Sequence, residues 1–92
     1  MADTGAYVLI KTKPGAAADV AKMVSELGPV HWAAVVTGPY DIIAGVRVSD
    51  NEMLGTLVVE RIRGISGVIE TMTAVMVSFH RGKVPRGIMA PP

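Results

Sequence analysis

The hydrophobic pattern of this chain switches between the period of a β-strand and the period of an α-helix. The order of these switches permits few folds. Runs rich in β-branched residues predict strands, whereas apolar stripes at i, i+3, i+4 and i+7 predict amphipathic helices. Strands are predicted at residues 6–12, 30–37, 42–48 and 68–79, with a helix after the first and third strands. Right-handed crossovers join this βαββαβ order into a four-stranded antiparallel sheet with both helices on one face, the ferredoxin-like α+β arrangement.

Each predicted helix carries an apolar stripe that should face the sheet. In the first helix the stripe consists of Val20, Met23, Val24 and Leu27, and Gly28 and Pro29 should end it. The second helix begins with a predicted capping box, in which Ser49 and Glu52 satisfy each other's free amides. Its stripe consists of Leu54, Leu57, Val58, Ile62 and Ile65.

The predicted strands are apolar on both faces, although two helices cover only one side of a sheet. An antiparallel sheet with one solvated face should alternate apolar and polar side chains. The second strand instead sets Trp32, Ala34 and Val36 against Ala33 and Val35. Unless the strand boundaries are displaced by a residue or two, the uncovered face exceeds the few hundred Å² that soluble monomers tolerate. We therefore expect a homo-oligomer, at least a dimer, in which a second copy covers this face.

Composition and charge exclude several classes of protein. The 92 residues suit one domain, with a core expected over residues 6–80 and a flexible basic tail over 81–92. The chain has no cysteine and its two histidines are isolated, so neither a metal site nor a cofactor is expected. A net charge of +1 gives no overall attraction to nucleic acid or membranes. No signal peptide or membrane span is found, and a cytoplasmic location is the expectation.

A few polar residues are candidates for chemistry. Asp41 closes a Gly-Pro turn between two apolar strands, and it could either bond local amides of the turn or contact a ligand. His31 beside Trp32 favours packing over catalysis, since nothing in the sequence brings it to a carboxylate. Thr71 and Thr73 place two hydroxyls on one face of the last strand, where they could bond neighbouring strands or a ligand.

Two short passages resemble the Lrp/AsnC, or feast/famine, family of regulators. Residues 36–41, Val-Thr-Gly-Pro-Tyr-Asp, look like that family's TG-x-(Y/F)-D hairpin, and the strand that follows ends in Arg47 and Val48. Residues 65–73 resemble its L-P-G-V-x-x-T-x-T passage, with Ser66 in place of the usual proline. The two motifs together are more specific than either alone. The resemblance covers residues 6–80, the effector-binding RAM domain of the family.

The resemblance implies an assembly and a ligand. Family members pack two sheets face to face into a dimeric α/β barrel and form rings of dimers, such as an octamer, with an amino-acid effector bound between dimers. Carried onto this chain, the family's hairpin loop offers the backbone amides of Gly38 and Tyr40 to the effector's carboxylate and the Asp41 carboxylate to its ammonium group. Thr73, Ala74 and Val75 fall where the family tunes its response to the effector.

The beginning of the chain departs from the family's transcription factors, which carry a helix-turn-helix domain ahead of the sensor. Here five residues precede the first predicted strand. The chain therefore resembles the stand-alone sensors of the family, for which neither catalysis nor direct sequence-specific DNA binding is implied. Co-assembly with full-length relatives, which would change their response, is a hypothesis that follows.

Two other functions remain open from the sequence. A small dimeric ferredoxin-like barrel enzyme, of the monooxygenase or isomerase type, would need a polar cluster between sheet and helices, where His31 is the lone candidate. The other function is that of a purely structural oligomer, or of a nucleic-acid accessory that would use the basic residues of the tail.

Overall fold

A computed structural model describes residues 3–83 and shows one sheet with helices packed on a single face. The elements are β1 (Thr4–Thr12), α1 (Ala17–Ser25), β2 (Val30–Val35), β3 (Ile42–Val48), α2 (Asn51–Thr56), which continues as a π-helix (Leu57–Ile62), and β4 (Val68–Val75). The strand order is β2-β3-β1-β4, and every neighbouring pair is antiparallel. The predicted ferredoxin-like βαββαβ fold is confirmed.

The strand register separates a helix-covered face from an open face. Val8 lies opposite Ala44 of β3, and Ile10 lies opposite Ile42, so these side chains share the covered face and all four are fully buried. The helices close this face with Val20 and Val24 of α1 and with the predicted stripe of the second helix, whose members Leu54, Leu57, Val58, Ile62 and Ile65 are all buried. The core therefore lies entirely between the sheet and the helices.

The prediction of which α1 residues face the sheet is partly wrong. Val20 and Val24 are buried as predicted, but Met23 is 50% exposed and Ala21 is buried in its place. The helix also ends at Ser25, before Gly28 and Pro29, because the amides of Glu26 and Leu27 turn back to the carbonyls of Met23 and Val24 at 3.2 and 3.1 Å. This tighter last turn directs the chain into β2.

The predicted capping box is displaced by one residue. Asp50, not Ser49, is the N-cap of α2, and its side chain accepts a hydrogen bond from the Met53 amide at 2.8 Å. The Ser49 hydroxyl instead contacts the Met53 sulfur. Asp caps a helix as well as Ser does, so the local pattern permitted either start.

Two strands are shorter than predicted because their neighbours end. β2 stops at Val35 rather than at residue 37, and β4 stops at Val75 rather than at residue 79. The Met76 amide makes a final bond, 2.8 Å long, to the Gly5 carbonyl near the start of β1. Beyond it Val77 is 96% exposed. The predicted flexible tail, residues 81–92, falls for the most part outside the described residues.

The open face is apolar, as the strand pattern predicts. Its apolar side chains are half-buried or exposed, and charged residues lie towards its ends. The apolar ones are Tyr7 and Leu9 on β1, Trp32 and Ala34 on β2, Ile43 on β3, and Met72 and Ala74 on β4, and the charged ones are Lys11, Arg47 and Glu70. Met72 is 52% exposed. No helix among the described residues is long and apolar enough to cross a membrane.

Candidate functional site

The loop between β2 and β3 is the part of the molecule where backbone polar groups and a carboxylate come together. The loop is closed by a bond from the Val36 amide to the Asp41 carbonyl, 2.9 Å long. The Asp41 amide in turn donates to the Ile10 carbonyl at 2.9 Å, which attaches the loop to β1. Gly38 has a φ of 155°, a conformation that side chains disfavour, so the glycine allows the chain to turn here.

The carboxylate of Asp41 binds the end of β1 through one of its oxygens. Oδ2 accepts a bond from the Thr12 amide at 2.8 Å and one from the Thr12 hydroxyl at 3.3 Å. Its partners are therefore not local to the turn. Thr12 is the buried polar residue of the described core, and Asp41 satisfies it. The other oxygen, Oδ1, takes no hydrogen bond from the described residues and is not enclosed.

Two backbone amides of the loop remain free to bind a ligand. Among the bonds between described residues, neither the Gly38 amide nor the Tyr40 amide is a donor, and Pro39 between them has no N–H. Backbone N–H groups are suitable donors to an anion such as a carboxylate. Lys11 adds a positive charge beside it, since its ammonium group donates to the Pro39 carbonyl at 3.2 Å. The loop thus contains two backbone donors and one carboxylate oxygen that form no hydrogen bond with the described residues.

Tyr40 joins the loop to β4. Its hydroxyl donates to Glu70 Oε2 at 3.3 Å and lies 3.9 Å from the Met72 sulfur. Partial burial raises the pKa of Tyr40 above its usual value near 10, and the charge of Glu70 together with the hydrogen bond raises it further. The phenol is therefore held in its neutral, hydrogen-donating form.

The Glu70→Gln substitution is expected to lower the pKa of Tyr40, because it removes the carboxylate that disfavours the phenolate. In the wild type, the raised pKa means that the stabilisation from this contact is complete below pH 10 and is lost as the pH rises through the Tyr40 pKa. The titration of the Tyr40 ring, followed by NMR, measures the shift, with Glu60→Gln on the π-helix as the control. An unchanged Tyr40 titration in Glu70→Gln would show that the contact does not form in solution.

The remaining predicted site residues lie elsewhere. Thr73 and Val75 are on the covered side of edge strand β4, where they line a cavity of about 330 Å³ with α2 and the π-helix, and Ala74 lies on the open face opposite Tyr7. Thr73 pairs with Val8, whereas the hairpin loop is attached at Thr12. At about 3.3 Å per residue these points are roughly 13 Å apart along β1. Thr73 and Val75 also lie on the opposite face of β4 from Ala74, so the six predicted residues do not form one group within a single subunit.

Sequence reasoning missed the residues that hold the loop in place. Thr12, Lys11 and Glu70 are 28 to 30 positions away from their partners in the loop. No spacing rule links residues so far apart, so only the strand register reveals these contacts. Within residues 3–83 no group of three or more His, Cys, Asp or Glu side chains could hold a metal ion.

The polar cluster that a barrel enzyme would need is not found between sheet and helices. In the described part of the chain, every buried core residue is apolar except Thr12, and Asp41 already bonds Thr12. His31 is exposed and lies outside this layer.

Comparison with known proteins shows the family of this chain. The model of the Lrp/AsnC ligand binding domain matches residues 5–81. The chain belongs to the Lrp/AsnC family. The resemblance predicted from the two short motifs is therefore confirmed. An uncharacterised HTH-type transcriptional regulator of Pyrococcus furiosus is 37% identical to this Lrp/AsnC domain over 79 residues, which make up 83% of this chain and 51% of the regulator.

Solved structures agree with the family assignment. A protein of Thermus thermophilus has a TM-score of 0.80 and 32% identity, covering 86% of this chain and 99% of that one. A transcriptional regulator of Neisseria meningitidis, solved as an L-Met complex, has a TM-score of 0.78 at 17% identity, covering 91% of this chain and 57% of its own, and shares the fold. The Lrp/AsnC domain spans about half the length of the curated relatives it matches. Those relatives are named as HTH-type transcriptional regulators.

Proposed function

We propose that this chain is an amino-acid-sensing domain that works as a homo-oligomer and catalyses nothing itself. The observation that carries the proposal is the hairpin loop, which contains amide donors and a carboxylate oxygen that no described residue bonds. An amino acid is a zwitterion, and it needs both kinds of partner within a few ångström of each other.

The loop supplies each half of that recognition with different groups. The amides of Gly38 and Tyr40 bind the effector's carboxylate, helped by the nearby charge of Lys11. Oδ1 of Asp41 accepts the effector's ammonium group, while Oδ2 stays on Thr12 and keeps the acceptor in a fixed position. A carboxylate held in this way loses little conformational freedom on binding.

The rest of the pocket comes from another subunit. Thr73, Ala74 and Val75 contact the effector from a neighbouring copy, since the β1 positions that pair with Thr73 and that hold the loop are roughly 13 Å apart. The L-Met complex of the Neisseria regulator, which shares this fold, supports an amino acid as the class of ligand.

Assembly follows from the open face. We propose that two copies pack these faces together. An apolar sheet face that carries Leu9, Ile43 and Met72 is unfavourable in contact with water, and a second copy would bury it. Contacts between such dimers, in a ring such as an octamer, would bring a hairpin loop to a neighbour's β4.

The same surfaces would allow co-assembly with full-length relatives, and co-purification from native extract tests this. Recovery of the chain only as a pure homo-oligomer would count against co-assembly.

A thermal-shift screen with the proteinogenic amino acids tests the ligand. An effector present at 100 times its Kd is expected to add about 2.7 kcal/mol to the apparent stability. Asp41→Asn should abolish most of this shift, because the amide oxygen can still accept from Thr12 but the negative charge for the ammonium group is gone. Asp19→Asn, on the exposed side of α1, is the matched control and should respond like the wild type. A full shift in Asp41→Asn would show that the effector binds elsewhere.

A further inference from the structure

A second depression lies at the other end of the open face. Gly5 of β1 lacks a side chain on this face, and a cavity of about 220 Å³ lies between it, the Tyr7 and Trp32 side chains and Arg47. The cavity is about six residues along β1 from Lys11, which is roughly 20 Å from the hairpin loop. It is therefore separate from the proposed amino-acid site.

One wall of this cavity is aromatic. The indole of Trp32 covers Gly45 so closely that a Cβ on that glycine would overlap the ring. The Tyr7 ring lies 6.2 Å from the Trp32 ring, centroid to centroid, with a tilt of 56°. Two aromatic rings that meet at an angle suit a flat apolar group, which can stack on one ring and meet the edge of the other.

The rim of the cavity carries the positive charge of Arg47. His31 also lines the cavity, and no Asp or Glu side chain of the described residues does. The Arg47 guanidinium takes part in none of the side-chain hydrogen bonds between described residues. An arginine next to an apolar recess can pair with a carboxylate through two parallel hydrogen bonds.

We propose that this cavity binds a small organic anion with a flat apolar body and a single carboxylate. The body lies against the tilted pair of Trp32 and Tyr7 rings, and the carboxylate pairs with Arg47, with His31 close by. An amino acid would fit poorly, because its ammonium group would face Arg47 with no acid to receive it. The two sites thus differ in charge pattern: the hairpin loop takes a zwitterion and this cavity takes an anion.

The position of the cavity also bears on assembly. If two open faces pack together, the Arg47 charge is drawn towards an apolar interface, where an unpaired ion is costly. A bound carboxylate would pair with that charge. A small anion in this cavity is therefore expected to favour the dimer, and the dimer to favour its binding.

Benzoate is a suitable probe, and Trp32 is a built-in reporter because the chain has one tryptophan. Titration of the wild-type protein with benzoate should change the Trp32 fluorescence saturably, whereas benzamide, which has the same shape but no charge, should not. Arg47→Gln should weaken benzoate binding by roughly 10- to 100-fold, the loss expected for one charge-assisted interaction. Arg63→Gln, past the end of the π-helix, is the matched control and should bind like the wild type.

A second variant tests the cavity without touching its charge. An added Cβ at Gly5 would stand 3.9 Å from the Met76 side chain, an ordinary contact, so Gly5→Val should fold and yet occupy the space. It should abolish benzoate binding, whereas Asp41→Asn should leave it unchanged, which separates this site from the hairpin loop. The proposal is overturned if benzoate gives no saturable signal, if benzamide binds equally well, or if Arg47→Gln binds benzoate as the wild type does.

Discussion

Ile10→Ala is expected to lower the free energy of unfolding by about 2–5 kcal/mol, the range for truncating a large buried aliphatic side chain. Ile10 is fully buried on the covered face of β1, which is a central strand paired with both β3 and β4. Its removal leaves a cavity that the surrounding strands cannot close. Chemical denaturation followed by circular dichroism measures the loss, and the slope of the transition should not change.

Met23→Ala is the informative control for this measurement. Met23 belongs to the predicted apolar stripe of α1 but is half exposed, so its truncation should change stability by no more than about 0.5 kcal/mol. A loss at Met23 as large as the loss at Ile10 would mean that α1 packs in a different rotation.

Ile43→Glu is expected to convert the proposed dimer into a folded monomer. Ile43 is half-buried on the open face of β3, between Leu9 of β1 and Ala34 of β2. In a single subunit the new carboxylate can reach water, but between two packed sheets it would be buried without a partner. That penalty amounts to several kcal/mol, so the dimer Kd should rise by at least roughly 100-fold.

Sedimentation velocity measures this change, and circular dichroism shows whether the subunit stays folded. Met23→Glu, on the helix side of the sheet, should leave the dimer intact. A wild-type chain that sediments as a stable monomer at micromolar concentration would contradict the proposed dimer. An Ile43→Glu variant that still dimerises would show that another surface forms the contact.

The candidate site was only partly predictable, and the limit is visible in Asp41. Its place after a Gly-Pro turn marks it as a candidate, but the turn chemistry leaves local bonding and ligand contact equally open. The structure shows that one oxygen does neither, since it bonds Thr12 of β1. That partner is 29 positions away, and it becomes visible only when β1 and the hairpin are placed side by side.

The sequence by itself determined the order of the elements, the two apolar faces of the sheet and the stripe of the second helix. These properties follow from hydrophobic period, which is a local consequence of how a strand or a helix points its side chains. Only the tertiary structure decided that Met23 faces solvent, that β4 ends at Val75, and that the Asp41 carboxylate of the hairpin loop binds Thr12 of β1. Each of these depends on which strand lies next to which and in what register, and that is a property of residues far apart in the chain.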